Sequence, residues 1–385
     1  MISFTMSEKL ICTYFPECNA CNYWQTDYSE QISIKTAKLL DLFTKKNLLF
    51  KKNIDFISCG PHSLRHRADF TMQFNPITQK TEFGFYSAEG NLVSVAKCLQ
   101  MSPELRSIYS EFIKFDFKTS ADQFIKKASV RLRVGPNGQK GCWLDLANLD
   151  AKALLDDQTL LRALLNAGFK VEMGQKGKSV SFINGELKFG LPAPAHWFKS
   201  LGLNGRDLPL YSLISDFTQP SWTGAIALTQ IALTWFDQYL TFTSKKVLEF
   251  GAGIGQFTVS LLDSGYSVEA LEIERSACES LKLNVASVDK TSNLTLHNAD
   301  FHRMAFKTET SAVLLNPARS GLKGFCEAVL ACNAEVLVYI SCFPESMCDD
   351  LQMLSKIYQI VDVKIVDQFP QTDHFETCVL LKKLS

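Results

Sequence analysis

The sequence predicts an α/β fold in residues 211–385, preceded by an α+β domain in residues 1–210. After about residue 210, short apolar strands alternate with helical stretches, which is the pattern of a largely parallel sheet covered on both faces. Before that point the pattern is less regular. A chain of 385 residues suits two domains.

The first domain shows one clear helix and several strands. Residues 32–45 have the spacing of an amphipathic helix, and three stretches have the composition of strands: 69–74, 81–85 and 130–134. Residues 191–195 and 202–209 are rich in proline and glycine, and we expect loops there, near the domain boundary.

The second domain is predicted from a series of apolar strands. A helix at residues 257–262 follows the first strand, and the last two strands are expected to form a closing antiparallel pair. The predicted strands are 246–250, 267–273, 312–315, 335–340, 361–369 and 377–381. In such a sheet, ligands bind at the carboxyl ends of the strands.

The charge of the chain is balanced, with 40 basic and 40 acidic residues. Any contact with nucleic acid would therefore depend on local basic patches. We interpret each basic cluster as either such a patch or ordinary solvated surface. The clusters are Lys45, Lys46, Lys51 and Lys52; Arg65 and Arg67; and Lys126, Lys127, Arg131 and Arg133.

No apolar run reaches the roughly 18 residues needed to span a membrane, and residues 1–10 lack the apolar stretch of a secretory leader. We therefore expect a cytoplasmic protein without membrane contact. Its 12 cysteines are then not expected to form disulfides, so some should bind metal or take part in chemistry.

A glycine-rich loop follows the first strand of the second domain. Residues 249–255 read Glu-Phe-Gly-Ala-Gly-Ile-Gly, and the next strand ends at Glu272, an acid placed to bond ribose hydroxyls. The spacing differs from the nicotinamide fingerprint. The loop favours a methyl-donor site, with a nicotinamide site or an ordinary glycine turn as alternatives.

Asn316-Pro317-Ala318-Arg319 ends the strand at 312–315. Enzymes that methylate amino groups carry an aromatic residue in the fourth position, where it stacks on the base. Arg319 stands there in this chain and disfavours that chemistry. An arginine could instead hold a phosphate or polarise a carbonyl.

Cys342 and Glu376 lie at or near the ends of later strands. Methylation of uracil carbon 5 requires a thiolate that adds to carbon 6 and a base that removes the carbon 5 proton. Alone, a cysteine is usually a buried apolar residue and a glutamate is usually solvated. Together, after a methyl-donor motif, they favour the catalytic interpretation.

Four cysteines form a separate group: Cys12, Cys18, Cys21 and Cys98. Four thiolates can hold a 4Fe–4S cluster or a structural zinc ion, and spacing alone does not decide between them. The remaining alternative is four unrelated buried cysteines.

These segments resemble the RNA uridine-5-methyltransferase family over nearly the whole chain. Residues 216–220 resemble its F-x-Q-P motif, and residues 316–321 resemble its D/N-P-P-R-x-G motif. The resemblance implies Cys342 as nucleophile and Glu376 as general base. It also implies cofactor contacts from Gly251, Gln256, Glu272 and Asn316, and a contact of Gln219 with the methyl donor or the base. Ala318, Phe343 and Ser221 depart from the family pattern, which puts substrate fit and catalytic efficiency in question.

The resemblance implies a class I (Rossmann-like) SAM methyltransferase domain after an α+β iron–sulfur domain, with S-adenosyl-L-methionine and a 4Fe–4S cluster as cofactors. The cluster would be held by Cys12, Cys18, Cys21 and Cys98, as in the iron–sulfur members. Because the first of these stands at position 12, we expect no N-terminal TRAM barrel. The expected partner is RNA, with 23S ribosomal RNA favoured over transfer RNA. We expect the target uridine to be flipped into the active site and the enzyme to be a monomer.

Two alternatives remain at this point. The chain could be a different class I methyltransferase, active without Cys342. It could also be an RNA-binding homologue that has lost catalysis, which the departures at Ala318 and Phe343 suggest. Retention of both Cys342 and Glu376 argues against the latter.

Overall fold

The computed structural model describes residues 11–118, 125–146, 155–175, 178–240, 245–300 and 310–384. Residues 1–10, considered above for a secretory leader, lie outside them. The helices are α1 (Tyr28–Lys45), α2 (Pro103–Phe112), α3 (Thr159–Asn166), α4 (Trp222–Tyr239), α5 (Gln256–Asp263), α6 (Arg275–Ala286), α7 (Cys326–Ala331) and α8 (Pro344–Leu354).

The strands are β1 (Asp55–Ser58), β2 (Arg67–Asn75), β3 (Lys80–Tyr86), β4 (Leu92–Ser94), β5 (Lys127–Val134), β6 (Lys140–Leu146), β7 (Phe169–Gln175), β8 (Lys178–Ile183), β9 (Glu186–Phe189), β10 (Ala195–Leu201), β11 (Asp207–Ser212), β12 (Lys246–Phe250), β13 (Ser267–Glu272), β14 (Leu294–Asn298), β15 (Ala312–Leu315), β16 (Val336–Ser341), β17 (Tyr358–Asp367) and β18 (Glu376–Lys383). The helix and strands predicted from the pattern are all found, with ends shifted by a few residues.

The C-terminal sheet has the order β1-β17-β18-β16-β15-β12-β13-β14. Its strands run parallel except β18, which is antiparallel to both neighbours. This confirms the predicted closing pair of β17 and β18. The strands are apolar on both faces because both are covered, as is usual for parallel sheets.

Successive residues of a strand point to opposite faces, so each strand feeds two cores. In β12, Val247 lies in the core beneath α4, α5 and α6. Its neighbour Leu248 lies in the core beneath α1, α7 and α8. This three-layer arrangement leaves the carboxyl ends of β12, β15 and β16 together at one edge.

Two elements from the start of the chain belong to this second sheet. β1 pairs in parallel with β17, with Asp55 opposite Lys364, and Leu39 and Phe43 of α1 are buried in the core shared with α7 and α8. The division at residue 210 stays a prediction, and residues from both sides of it build the C-terminal sheet.

The N-terminal sheet has the order β4-β3-β2-β5-β6-β7-β8-β9. It is antiparallel except for the parallel pair β6 and β7, which the connection containing α3 joins. Leu105 and Ile108 of α2 and Leu161 and Leu164 of α3 complete its core. An α+β arrangement is therefore present as predicted.

A β-hairpin links the two sheets. β10 and β11 pair antiparallel through residues that include 207–209, which the proline and glycine content predicted as loop. That prediction was wrong for these three residues. Leu208 and Leu210 alternate inward from the hairpin and are fully buried against α4 and α5, and this burial outweighs the turn signal of Pro209. Within the described residues, no helix is both long and apolar enough to cross a bilayer.

Candidate active site

The register of β16 and β18 brings the two predicted catalytic residues together. Ser341 at the end of β16 is paired with Thr377 of β18. Because the strands are antiparallel, the residue after Ser341 faces the residue before Thr377. Those residues are Cys342 and Glu376.

The Cys342 thiol is half-buried. Burial raises its pKa, and the nearby Glu376 carboxyl raises it further. A hydrogen bond and the charge of Arg319 act in the opposite direction and favour the thiolate. Arg319 comes from the loop after β15, and its carbonyl accepts a hydrogen bond from Ser346 Oγ of α8 at 2.7 Å. This bond fixes the loop beside Cys342.

The Glu376 side chain is 3% exposed, and this burial raises its pKa to about 7. The Gln368 amide donates to Glu376 Oε1 at 3.0 Å and, with Arg319, lowers the pKa. A carboxyl that titrates near neutrality is suited to accept a proton in one step and release it in another.

Gln219, predicted to contact the donor or the base, lies in the same group of side chains. Its Oε1 accepts a hydrogen bond from Gln368 Nε2 at 2.7 Å, and the residue is 7% exposed. Residues 219, 368 and 376 thus form a continuous hydrogen-bonded row that ends beside Cys342. Two residues after Gln219, Ser221 Oγ accepts from Gly224 N at 3.2 Å and so caps α4. The family departure at this position therefore serves the helix start.

Three arginines of the N-terminal sheet hold the segment just before Gln219. Arg131 Nη1 donates to Ser215 O at 2.6 Å, Arg133 Nη1 to Leu213 O at 2.8 Å, and Arg67 Nη1 to Thr218 O at 2.6 Å. Arg133 is buried, which lowers its pKa to about 9. These members of the predicted basic clusters bind the protein's own backbone, and the interpretation of solvated surface does not hold for the buried Arg133.

The glycine-rich loop makes a tight turn at the end of β12. Gly251, Gly253 and Gly255 have φ angles of +72°, +57° and +90°, which side chains rarely adopt. A Cβ on Gly251 would lie 3.1 Å from Asn316 O. This close approach places Asn316, at the end of β15, directly beside the loop.

Glu272 at the end of β13 is tied to the glycine-rich loop. Its Oε2 accepts from Gly253 N at 2.8 Å, and its Oε1 accepts from Glu274 N at 2.8 Å. Both oxygens keep a further lone pair for ligand hydroxyls. The carboxylate therefore shapes the loop at the end of β13 and keeps acceptor capacity there.

Gln256, predicted to contact the cofactor, makes hydrogen bonds to α4. It begins α5, but its side chain donates to Ala225 O at 3.1 Å and Thr229 Oγ1 at 3.2 Å of α4. The amide group therefore braces α4 against α5. Glu249, at the start of the glycine-rich motif, is also internal: burial raises its pKa to about 8, and its Oε2 accepts from Thr258 Oγ1 at 2.6 Å.

The four cysteines predicted to bind metal gather at one cavity. Cys12, Cys18, Cys21 and Cys98 line it together with Tyr14, Trp24 and Phe85. Tyr14 Oη accepts from Lys97 N at 2.8 Å and ties the two cysteine-bearing segments together. Within the described residues, however, no three or more His, Cys, Asp or Glu side chains are arranged to hold a metal ion. The four predicted cysteines therefore lie near one another, but their side chains do not form a ligating group.

Residues 196–384 match the family model described as tRNA (Uracil-5-)-methyltransferase. An uncharacterized RNA methyltransferase of Bdellovibrio bacteriovorus is 35% identical, and the match covers 97% of this chain and 95% of that protein. The chain belongs to the RNA uracil-5-methyltransferase family. The enzyme class and the resemblance predicted from the motifs are therefore confirmed.

Two further relatives of this methyltransferase are more distant. The 23S rRNA (uracil(1939)-C(5))-methyltransferase RlmD of Aliivibrio fischeri is 24% identical over 97% of this chain and 82% of its own length. The solved tRNA (uracil-54, C5)-methyltransferase of Pyrococcus abyssi, in complex with S-adenosyl-L-homocysteine, superposes with a TM-score of 0.68. That pair is 18% identical over 95% of this chain and 86% of the other, and the likeness establishes the α/β SAM methyltransferase fold. Membership of the RNA uracil-5-methyltransferase family excludes the nicotinamide alternative.

Sequence reasoning missed the contacts of two buried residues of the methyltransferase, Gln368 and Arg133. Gln368 was read only as part of a closing strand, yet a polar residue that is 1% exposed at a strand end is a signal of a specific partner. Arg133 was grouped with surface charge. Its place in β5, where buried Leu132 and Val134 flank it, was the available signal.

Proposed function

We propose that this methyltransferase forms 5-methyluridine in 23S ribosomal RNA, with S-adenosyl-L-methionine as methyl donor, Cys342 as nucleophile and Glu376 as base. The observation that carries the proposal is the β16–β18 register, which sets a thiol and a carboxyl side by side at the strand ends. Neither residue alone would support it, because buried cysteines and hydrogen-bonded glutamates have ordinary structural roles.

In the first step the Cys342 thiolate adds to carbon 6 of the uracil. The new S–C6 bond moves the C5=C6 electron pair toward the carbon 4 carbonyl and gives an enolate. Arg319 assists because its positive charge lowers the pKa of the thiol and so favours the thiolate. Carbon 5 then attacks the donor methyl group, and S-adenosyl-L-homocysteine leaves with the electrons of its sulfur–methyl bond.

In the second step Glu376 takes the proton from carbon 5. The C5–H electron pair restores the C5=C6 double bond, and the S–C6 bond breaks to return the Cys342 thiolate. Because Glu376 Oε1 already accepts from Gln368, Oε2 is the oxygen left to take the proton.

The donor site is proposed at the glycine-rich loop. Gly251 leaves the backbone open to the ligand, Glu272 accepts from the ribose hydroxyls, and Asn316 lines the opposite side. Gln256 would act indirectly, by fixing α4 against α5, since its amide nitrogen is used there. Gln219 is proposed to face the uracil.

The choice of ribosomal RNA rests on the similarity to RlmD along 97% of this chain. Transfer RNA is the second candidate, favoured by the description of the matching family model. The two are separated by incubating the purified enzyme with tritiated methyl donor and unmodified 23S ribosomal RNA or transfer RNA, then digesting the RNA to nucleosides.

We expect 5-methyluridine in the ribosomal RNA, none after Cys342→Ala, and wild-type levels after Cys332→Ser, a matched change just after α7, where the thiol donates to Ala328 O at 3.3 Å. Label in transfer RNA alone would reassign the substrate. Label in any other nucleoside, or a fully active Cys342→Ala enzyme, would overturn the proposed chemistry.

We further propose that the cavity of Cys12, Cys18, Cys21 and Cys98 holds a 4Fe–4S cluster. Four thiols at one cavity are the donor set that such a cluster takes, and they also suit zinc. Their present side-chain positions do not form a ligating set, so binding requires rotation of the thiols. No step of methyl transfer is assigned to the cluster.

Anaerobic purification followed by iron, sulfide and zinc analysis tests this assignment. Four irons and four sulfides per chain, lost in Cys21→Ser and kept in Cys59→Ser, would support it. One zinc per chain would replace the cluster by a structural zinc site, and a metal-free folded protein would overturn both.

A further inference from the structure

Gln368 occupies the centre of the active-site row, and the chemistry described above uses it only as the donor to Glu376 Oε1. It follows β17 directly, is 1% exposed, and uses one amide nitrogen to donate to both Gln219 Oε1 at 2.7 Å and Glu376 Oε1 at 3.0 Å. Its own oxygen has no hydrogen-bond partner among the described residues.

The backbone of α4 holds this side chain in place. A Cβ added to Gly224 would lie 2.5 Å from Gln368 Cβ and 2.6 Å from its Oε1. Only a glycine at position 224 leaves room for Gln368 between α4 and Glu376. The contact fixes where the amide lies but not which of its two ends faces Glu376.

The hydrogen-bonding capacities of Gln219 and Glu376 decide which end of the Gln368 amide faces Glu376. An ionised carboxylate only accepts hydrogen bonds, so Glu376 requires the nitrogen end of Gln368. The same nitrogen then donates to Gln219, which must present its oxygen. The reverse orientation would set the Gln368 oxygen against the carboxylate and leave the nitrogen unpaired, which costs more than the single unpaired oxygen observed.

We propose that Gln368 is a positioning residue that links the catalytic carboxyl of Glu376 to recognition of the uracil. It fixes the Gln219 amide so that its N–H groups face the pyrimidine, and it engages one oxygen of Glu376 so that the other receives the carbon 5 proton. This inference rests on the proposed function.

One consequence concerns recognition of the target. Gln219 Nε2 has no hydrogen bond to the described residues, whereas Gln219 Oε1 is taken by Gln368. The side chain is therefore a donor toward the cleft, and a donor matches a carbonyl oxygen of uracil. Loss of Gln368 would free the Gln219 amide to rotate and would weaken binding of the base.

A second consequence concerns the pH dependence of proton removal. The titratable and charged groups that face Glu376 are Cys342 after β16, Arg319 after β15 and Cys378 on its own strand. In the covalent intermediate the Cys342 sulfur is bonded to carbon 6 of the uracil and no longer titrates. The elimination step therefore reports Glu376 without interference from the thiol.

The test measures that step in single turnover. Enzyme, donor and substrate RNA are mixed, quenched in denaturant at intervals, and separated into protein-linked RNA and free methylated RNA. For the wild type, we expect the elimination rate to rise with pH with a midpoint near 7. Gln368→Met keeps the volume and removes the hydrogen bonds, so the midpoint should rise by about one pH unit.

The control is Gln359→Met, the same change at an exposed position of β17, and it should leave the midpoint unchanged. Gln368→Leu is a second apolar replacement in case the methionine variant does not fold. A change in overall rate without a shift of the midpoint would mean a purely structural role and would overturn the inference.

A double-variant cycle tests the link to Gln219. If Gln368 acts on base binding through Gln219, Gln219→Met alone and together with Gln368→Met should raise the KM for RNA by the same factor. If the two single changes raised the KM for RNA by independent factors that multiply in the double variant, the proposed link between Gln368 and Gln219 would be overturned. A wild-type enzyme that forms no protein-linked RNA would instead contradict the proposed function, so the two failures are distinguishable.

Discussion

At the scale of single residues, Cys342 and Glu376 must both lose a proton to act, and burial opposes both. It raises the pKa of the thiol, and it raises that of the carboxyl to about 7. Each negative charge also disfavours the other. Arg319 is the cation that faces both groups, and it stabilises whichever is ionised.

Replacement of Arg319 should therefore slow thiolate attack. In Arg319→Met the pKa of Cys342 is expected to rise further, so adduct formation at pH 7 should fall several-fold, and the deficit should shrink as pH rises. The rate of protein–RNA adduct formation from pH 6 to 9 measures this. Arg206→Met, which removes an exposed arginine paired with Asp263, is the control. A deficit that is constant across this range would show that Arg319 does not act on the thiol.

Replacement of Glu376 should block the last step only. Glu376→Gln keeps the hydrogen bond from Gln368 possible but cannot accept the carbon 5 proton, so methylated RNA should stay attached to Cys342. A denaturing gel of the reaction with ordinary RNA should show a stable slow-migrating species that carries label from the donor. Release of 5-methyluridine at the wild-type rate would exclude Glu376 as the base.

At the scale of elements, the connection between β17 and β18 is held by the beginning of the chain. Asn22 N and Tyr23 N, next to Cys21, both donate to Gln371 O, at 2.9 and 3.0 Å. Gln31 of α1 bonds the same residue through both ends of its amide. This connection carries Gln368 and precedes Glu376, so the N-terminal segment supports the active site although it lies far from it in sequence.

A buried ion pair strengthens this support. Lys35 of α1 donates to Asp367 Oδ1 at 2.8 Å and to Phe369 O at 3.0 Å, and both side chains are at most 1% exposed. Burial lowers the pKa of Lys35. Truncating one partner of such a pair leaves a buried charge, which costs about 3–5 kcal/mol.

Lys35→Met should accordingly lower the free energy of unfolding by about 3 kcal/mol or more. The double variant Lys35→Met/Asp367→Asn should be more stable than Lys35→Met alone, because it removes the unpaired charge. Urea denaturation measures both. Lys45→Met, at an exposed pair with Asp41, should change stability by less than about 1 kcal/mol. If Lys35→Met and Lys45→Met changed the free energy of unfolding by the same small amount, the Lys35–Asp367 pair would have no structural role.

At the scale of the whole molecule, two buried carboxyls give the fold a pH dependence. Glu249 has its pKa raised to about 8 and Glu376 to about 7, both mainly by burial. A raised carboxyl pKa means that the folded state holds a proton which the unfolded state has released. The stabilisation is complete below the ordinary glutamate pKa and is lost as pH rises toward 8.

Stability should therefore fall between about pH 5 and pH 8, by on the order of 1 kcal/mol per pH unit. Glu249→Gln, which resembles the protonated acid, should flatten this slope, whereas Glu335→Gln at an exposed position should not. Urea unfolding at a series of pH values provides the measurement. An identical slope in Glu249→Gln would mean that this residue is ionised in the folded protein.

The pattern of the sequence predicted the parallel sheet, the closing antiparallel pair and the position of Cys342 and Glu376 at strand ends, because strand periodicity and strand ends are local features. It could not predict that β1 joins β17, since pairing between residues 55–58 and 364–367 depends on tertiary packing. Gln368 and Arg133 were missed for the same reason: their partners, at 219, 376 and 213–218, are distant in sequence. The contacts of Gln256 with α4 also depend on tertiary packing and were not predicted.

Trapping the covalent intermediate tests the central claim most directly. Substrate RNA that contains 5-fluorouridine has no removable proton at carbon 5, so elimination cannot follow methyl transfer. The account predicts a denaturant-stable complex whose digestion yields one nucleotide-linked peptide, modified at Cys342 and carrying the donor methyl group. Methylation without any such complex, or a complex through another cysteine, would contradict the account.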